Sequence, residues 1–476
     1  MADTPSVTNR ADAERVPQRI LASLIASLSA GVVPRSGAPY IAIGRKEEIA
    51  AFLSDLESID AGGGTMRFLI GRYGSGKSFL IQLVRGYALE RNFVTADADL
   101  SPERRLYGSR GAGVATYREL MKNLASKSSP DGGALPKILA RWINGIQESA
   151  AEGGEDVSSV GFRLSLQRRI NDEMRDMEFL VGGFDFSHVM SHYFQAYLAG
   201  DESGDATMSA CLRWLRGEFT TKTEAKNELG FSVSTIIDDE NWYDFLKLWA
   251  SLFKKIGYRG FMVFIDECVN LYKIPHKTTR ENNYEKILSM FNDTLQGRAA
   301  GLGIVFGGTP LFLEDARRGL FSYEALRSRL CDSRFASSEF VNLIGPVIRL
   351  RTLSENELLA LIKRVGDLYA TYYHIRLPIS EEQQIRFLNI CLSRAGADSM
   401  VTPREMIRDY MAVLNILTQN RNATFESVVG EIAASSQKNA AQEDAVDTDE
   451  KTEGKEEKKP FGASNHKAYT ADDIEF

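Results

Sequence analysis

Apolar positions change their spacing several times along the chain, and each change marks an element. In "RILASLIASLSAGVVP" (19–34), Ile20, Leu21, Leu24, Ile25 and Leu28 recur at three- and four-residue intervals, which predicts a helix closed by Gly31 and Pro34. "YIAIGRKEEIAAFLSDLESI" (40–59) reads as a strand end, a Gly-Arg turn and a second amphipathic helix. Continuous apolar runs then replace the helical period at 68–70, "NFVTADADL" (92–100), "FMVFIDE" (261–267) and "LGIVFGGTP" (302–310), predicting strands covered on both faces. The second and third of these runs lie roughly 160 residues apart, far beyond an ordinary crossover. An insertion is therefore expected over about 101–258, and "TYRELMKNLA", "LPKILARWINGI" and "NWYDFLKLWASLFKKI" give it a helical pattern. A helix is expected near 283–296. From about 346 the pattern stays helical through "SENELLALIKRVGDLYATYY", "SEEQQIRFLNICLSR" and "TPREMIRDYMAVLNILTQN".

At 476 residues the chain exceeds one compact core and is expected to form about two or three packed units. A content of 43% hydrophobic and 25% charged residues is ordinary for a soluble protein. No apolar run approaches the ~18–20 residues that cross a bilayer, so no membrane contact is expected. The opening "MADTPSVTNRADAERVPQR" has no apolar signal core, and Cys211, Cys268, Cys331 and Cys391 form no C-x-x-C pair. Both features point to a reducing cytoplasm rather than secretion, a disulfide framework or a zinc ribbon. The net charge of −7 sits mostly in residues 436–476, which hold eleven acidic residues against six lysines, so the body is close to neutral. That balance does not fit a uniformly basic nucleic-acid binder. The loop "SPERRLYGSRG" (101–111), with Arg104, Arg105 and Arg110, is open to two readings, DNA contact or a solvated turn. The charged tail lacks the apolar content for a core and is expected to be disordered, ending as solvated chain or as a docking peptide built on Tyr469, Ile474 and Phe476.

Candidate chemistry centres on "RFLIGRYGSGKSFLI" (67–81), an apolar strand, a glycine-rich turn and an apolar helix in succession. Its centre, Gly71-Arg72-Tyr73-Gly74-Ser75-Gly76-Lys77-Ser78, fits the phosphate-loop pattern G-x-x-x-x-G-K-[ST], and Phe79 continues into the helix. Glycines let the backbone wrap close to phosphate, while loop N–H groups and the positive helix end face the anion. Lys77 is expected to reach the β- and γ-phosphates of a nucleoside triphosphate, and the Ser78 hydroxyl to ligate Mg2+. "FMVFIDE" supplies the second half: a buried strand whose carboxyl end faces the ligand, with Asp266 holding Mg2+ through water and Glu267 orienting or deprotonating the attacking water. Thr309, at the end of the 302–310 run, either reads the γ-phosphate or caps the helix that starts at Pro310, and the preceding Gly-Gly pair is readable as a tight turn. Arg327 and Arg329 in "EALRSRLCDSR" are candidates for an arginine finger from a neighbouring subunit, with Arg329 preferred, or for surface ion pairs. In "VTPREM", Pro403 opens a helix and Arg404 lies just inside it, positioned to close onto the γ-phosphate. His188 and His192, at i and i+4, lack a third ligand nearby and read as a helix face.

The succession of phosphate loop, Asp-Glu strand, polar strand end, arginine pair and late T-P-R-E helix resembles the plan of AAA+ ATPases. That likeness implies an α/β P-loop core, a parallel sheet flanked by helices, with a large helical insertion and a small α-helical lid. "IAIGRKEEIAAFLSDL" is similar to the Gly-Arg-x-x-Glu-(Leu/Ile) entry segment of the initiator-loader branch, which lies beside the adenine. By that likeness Gly44 and Arg45, with nearby Val32 and Val33, are adenine-side candidates. More specifically, "GRYGSGKSFLIQLVRGYALERNFVTADADLSPERRLYGSRGAGVATYRELMKNLA", "VFIDECVNLYKI", "GGTPLFLEDARRGLFSYEALRSRL" and "VTPREMIRDY" resemble the ATP-binding proteins of bacteriophage-exclusion (BREX) systems, of the BrxD-like kind. The likeness spans most of 19–420 and implies an ATPase encoded in a phage-defence island, often beside a large DNA helicase.

The expected organisation is a flexible N-terminus (1–18), a nucleotide-binding domain with its insertion (19–345), a helical lid (346–435) and a disordered charged tail (436–476). Two functions fit. The first is a cytoplasmic, ATP- and Mg2+-dependent switch or loader, homo-oligomeric through an arginine finger, acting on a helicase or other defence-system subunit. The second is a slow nucleotide-gated regulator that senses invasion and recruits an effector, with the insertion as sensor. A nuclease or methyltransferase is disfavoured, because no further carboxylate cluster or cofactor fingerprint is present.

Overall fold

The computed structural model describes residues 15–108, 110–152, 160–332, 343–394 and 402–430. The expectations for most of the N-terminal stretch and for the charged tail lie outside these residues.

Five parallel strands form one sheet in the order β2-β3-β4-β1-β5: β1 Thr65–Ile70, β2 Val94–Asp99, β3 Phe261–Asp266, β4 Leu302–Gly308 and β5 Val347–Arg349. Side chains alternate across it as the two-residue period of a strand requires. Phe68, Ile70, Val263, Ile265 and Phe306 face one apolar layer, and Leu69, Phe264 and Val305 face the other. The second layer is closed by helices α2 (Lys46–Asp60) and α3 (Lys77–Glu90) through Phe52, Leu56, Leu80 and Val84. The four strands predicted from continuous apolar runs are present. The fifth, only three residues long, carries too little pattern to be seen in the sequence.

The segment between β2 and β3 is helical: α4 (Ala112–Lys122), α5 (Leu135–Glu152), α6 (Val160–Met174), α7 (Gly183–Ala199), α8 (Glu202–Leu215), α9 (Lys222–Leu229) and α10 (Trp242–Lys255). Its core is continuous with the first sheet layer, since Tyr117, Trp214, Trp242 and Trp249 are fully buried in the same cluster as Phe68. Burying side chains of this size contributes roughly 1.5–3 kcal/mol each. Their polar ends are satisfied as well: the Trp249 indole donates to the Tyr117 hydroxyl at 2.9 Å, which donates to the Leu215 carbonyl at 2.7 Å.

After β3 come α11 (Val269–Tyr272) and α12 (Lys277–Leu295); after β4 come α13 (Pro310–Glu314) and α14 (Glu324–Leu330). The C-terminal helices α15 (Glu355–Tyr373), α16 (Glu381–Arg394) and α17 (Pro403–Gln419) build a second core. The first helix among the described residues, α1 (Gln18–Ser29), belongs to that core: Leu21, Leu24, Ile25 and Leu28 pack with Ile362, Val365 and Tyr410, not with the sheet. The strand end expected at 40–43 is instead a 3-10 turn, Ala38–Ile41, because Gly37 enters it with φ +81° and Pro39 fits its first turn. Thus α1 and α17 form one wall of a cleft whose other wall is the carboxyl edge of the sheet.

Candidate nucleotide-binding site

The loop joining β1 to α3 is held open by its own backbone. Ser75 N donates to the Arg72 carbonyl at 3.1 Å, and Gly71 N to the Gly308 carbonyl of β4 at 3.1 Å. Gly74 and Gly76 take left-handed φ values of +75° and +91°, which only glycine adopts without strain. Gly74 has a second constraint, because a methyl there would overlap the side chain of Thr402, the N-cap of α17. The 14-residue α3 directs its positive end into the loop. Phe79 packs between the two apolar clusters just behind it.

Lys77 folds over this loop, its Nζ donating to the Gly71 and Arg72 carbonyls at 3.0 and 3.1 Å. Burial lowers its pKa, and the carboxylates of Asp266 and Glu267 oppose that shift. Ser78 Oγ donates to Asp266 Oδ2 at 2.8 Å. Asp266, 8% exposed, ends β3 and accepts from the Glu267 N–H through Oδ1 at 2.8 Å. Its place depends on Gly307 of β4, since a methyl there would collide with Oδ1. The Gly-Gly pair is therefore part of the strand, making room for a carboxylate, and not a tight turn.

Glu267 is exposed and has φ +56°, a left-handed conformation that costs a non-glycine residue roughly 1–2 kcal/mol. It leaves β3 sharply and lines a cavity of about 590 Å3 at the strand ends. Val32 and Val33 also line the cavity, as does Thr309 directly after β4. The Thr309 hydroxyl accepts from Phe312 N at 3.4 Å, so this residue both caps α13 and faces the cavity.

Arg404 also lines the cavity, and its Nε donates to the Gly31 carbonyl at the end of α1. Arg408, one turn further along α17, packs its methylenes over Gly31 and faces the same space. Its spacing from Arg404 on a predicted helix was the available sequence signal for it. Thr402 and Lys273 are further cavity residues that sequence reasoning missed. Asp99 is another carboxylate near the site: it pairs in register with Asp266 at the end of β2, and burial together with Asp266 and Glu267 raises its pKa.

Arg45 also lines the cavity; it is 4% exposed and donates to the Ser75 carbonyl, the Arg351 carbonyl and Glu48. Other candidates lie elsewhere. Gly44, with φ +71°, sits against Glu357 and Leu353 outside the cavity wall. Arg327 and Arg329 are exposed on α14 and do not line the cavity; Arg329 donates to the Ala325 carbonyl at 2.7 Å, and Arg327 lies 3.9 Å from Glu324. Arg104 is tied to the Asp99 carbonyl at 3.0 Å and to Glu119 at 3.5 Å, which takes one cation of the 101–111 loop out of a free basic patch. His192 stacks on Phe231 and His188 packs against the same ring at a tilt, as a packed helix face does. Among the described residues no group of His, Cys, Asp or Glu side chains is suited to hold a metal by itself, and no helix is long and apolar enough to cross a membrane.

This arrangement presents a glycine-rich loop, a helix end, an ammonium, and a hydroxyl–carboxylate pair on one cavity, as a polyanion with a hard cation requires. A search of curated proteins gave no match. The family model described as BREX system ATP-binding protein BrxC/D matches residues 16–433. That span takes in the sheet, the phosphate loop, α15, α16 and α17, and the chain therefore belongs to the BREX system ATP-binding protein BrxC/D family.

Proposed function

We propose that this protein is an ATP-hydrolysing, AAA+-type switch or loader that acts on a DNA-processing partner, such as a helicase, in cytoplasmic BREX phage defence. The observation carrying this reading is the bond between Ser78 Oγ and Asp266 Oδ2 at the mouth of a phosphate loop. It joins the two sequence halves that a triphosphate site needs.

In this reading the loop N–H groups and the α3 terminus bind the phosphates, and Lys77 exchanges the Gly71 and Arg72 carbonyls for the β- and γ-phosphate oxygens. Ser78 and Asp266 are hard oxygen donors that fit Mg2+, which when bound neutralises phosphate charge. Glu267, exposed at the cavity edge, takes a proton from the water that attacks the γ-phosphorus, giving ADP and inorganic phosphate. Val32 and Val33 offer an apolar wall to the base. Residues 346–435 act as a lid, and Arg404 reports the γ-phosphate to it. Arg327 or Arg329, exposed on α14, completes the site of a neighbouring copy in a homo-oligomer.

Steady-state ATPase of the purified chain, with and without DNA, tests this. Lys77→Ala is expected to lose ATP binding, and Glu267→Gln to bind ATP but turn over at least about 100-fold more slowly. Unchanged turnover in both variants would end the proposal. A rate unaffected by DNA or by a co-purified helicase would remove the loader role while leaving the ATPase.

A further inference from the structure

We propose that Arg45 is a positioning residue: its buried guanidinium sets the phosphate loop and ties it to the segment from which the C-terminal helices depart. This rests on the cavity being an ATP site, and it differs from the adenine-side role that the entry-segment likeness implies.

Three acceptors hold the guanidinium. Nη2 donates to the Ser75 carbonyl at 2.8 Å and to the Arg351 carbonyl at 3.0 Å, and Nη1 donates to Glu48 Oε1 at 3.2 Å. Glu48 is itself buried in the first turn of α2. The C=O and N–H of a trans peptide point in opposite directions. Fixing the Ser75 carbonyl behind the loop therefore turns the Gly76 N–H to the front, where an anion is bound. Without this donor the carbonyl would lose a charge-assisted hydrogen bond in a buried setting, and the peptide would be freer to rotate.

The second contact runs away from the loop. Residue 351 lies two positions after the end of β5, and the intervening Leu350 N donates to the Ile70 carbonyl at 2.7 Å, so this segment is pinned beside the end of β1. The Arg351 side chain forks onto Glu357 at 2.7 and 2.6 Å, and Glu357 closes the capping box of α15 with Ser354. A connected path thus leads from the loop peptide through Arg45 to the start of the C-terminal helices. Lysine cannot replace it, because a single ammonium does not span two carbonyls and a carboxylate in this planar arrangement.

The test uses the full chain, a fluorescent ATP analogue for affinity, AMP as a competitor, and thermal unfolding as a control. Arg45→Lys is expected to weaken ATP about tenfold but AMP less than about twofold, since AMP lacks the outer phosphates that the loop cradles. Equal losses for ATP and AMP would assign Arg45 to the adenine side and overturn the proposal, as would unchanged ATP affinity. Should Arg45→Lys unfold, Glu48→Gln keeps the arginine but weakens its hold; a smaller ATP-selective loss is expected, and its absence also overturns the proposal. Lys77→Ala separates the two levels: if that variant binds ATP like the parent, the ATP-site reading fails regardless of Arg45.

Discussion

Ser78 and Asp266, 188 residues apart in the chain, share a 2.8 Å hydrogen bond at the carboxyl edge of the sheet. The bond exists because β1 and β3 flank β4, so the first turn of α3 and the end of β3 face one another across it. Either group alone is a weak signal; together they are a pair of hard donors. Ser78→Ala is expected to raise the Mg2+ concentration for half-maximal ATPase by about tenfold or more. A Mg2+ titration identical to that of the parent would remove Ser78 from the metal.

Gly307 makes the space in which the Asp266 carboxylate lies. Gly307→Ala is expected to destabilise the fold by about 1–3 kcal/mol through overpacking, and to lower turnover more than its stability loss explains. Urea unfolding and ATPase measured on the same preparation check both parts.

Glu267 keeps a left-handed backbone at the exit of β3. Glycine relieves such strain, offset in part by its greater freedom when unfolded. Glu267→Gly is thus expected to be more stable than Glu267→Gln by up to about 1 kcal/mol, with both inactive. A glycine variant less stable than the glutamine variant would show that the backbone stores no strain there.

Arg404 donates to the Gly31 carbonyl and in our reading exchanges it for the terminal phosphate. Arg404→Ala is expected to weaken ATP by about tenfold while changing ADP by less than about twofold. Calorimetry with both nucleotides decides, and equal effects would leave Arg404 as a clamp on α1 with no sensing role.

Acid should loosen the base of α15. Hydrogen bonding from Arg351, helped by Ser354, moves the Glu357 carboxyl from its ordinary 4.5 down to about 2. A depressed acid pKa gives stability that is complete above the ordinary value and is lost as pH falls from there towards the lowered one. The stability gap between the parent and Glu357→Gln is therefore expected to be full at pH 7 and to close between about pH 4.5 and 2. A gap independent of pH would mean the ion pair adds nothing.

Contiguous signals were legible in the sequence. The phosphate loop, the Asp-Glu strand and the helical insertion are each written in one stretch, with periodicity or a fixed spacing to mark them. What escaped depends on partners distant in the chain. The stripe of Leu21, Leu24 and Ile25 gives α1 an apolar face but does not say that the face meets Tyr410. Arg45 reaches a carbonyl 306 residues away, and backbone carbonyls leave no trace in side-chain patterns. Arg327 and Arg329 are exposed on α14 and do not line this chain's own cavity, and the partner of a finger offered to a neighbouring copy lies outside the chain altogether. The T-P-R-E run, noted for its arginine, is also a full capping box in which Thr402 and Glu405 satisfy each other's backbone, which fixes where α17 begins.

That starting point matters beyond the helix. Thr402 rests against Gly74 so closely that no side chain fits between them, and the crest of the nucleotide loop is walled by a residue from the far end of the fold. Thermodynamic reciprocity follows: any protein that draws α17 off that crest alters nucleotide affinity by some factor, and nucleotide alters affinity for that protein by the same factor.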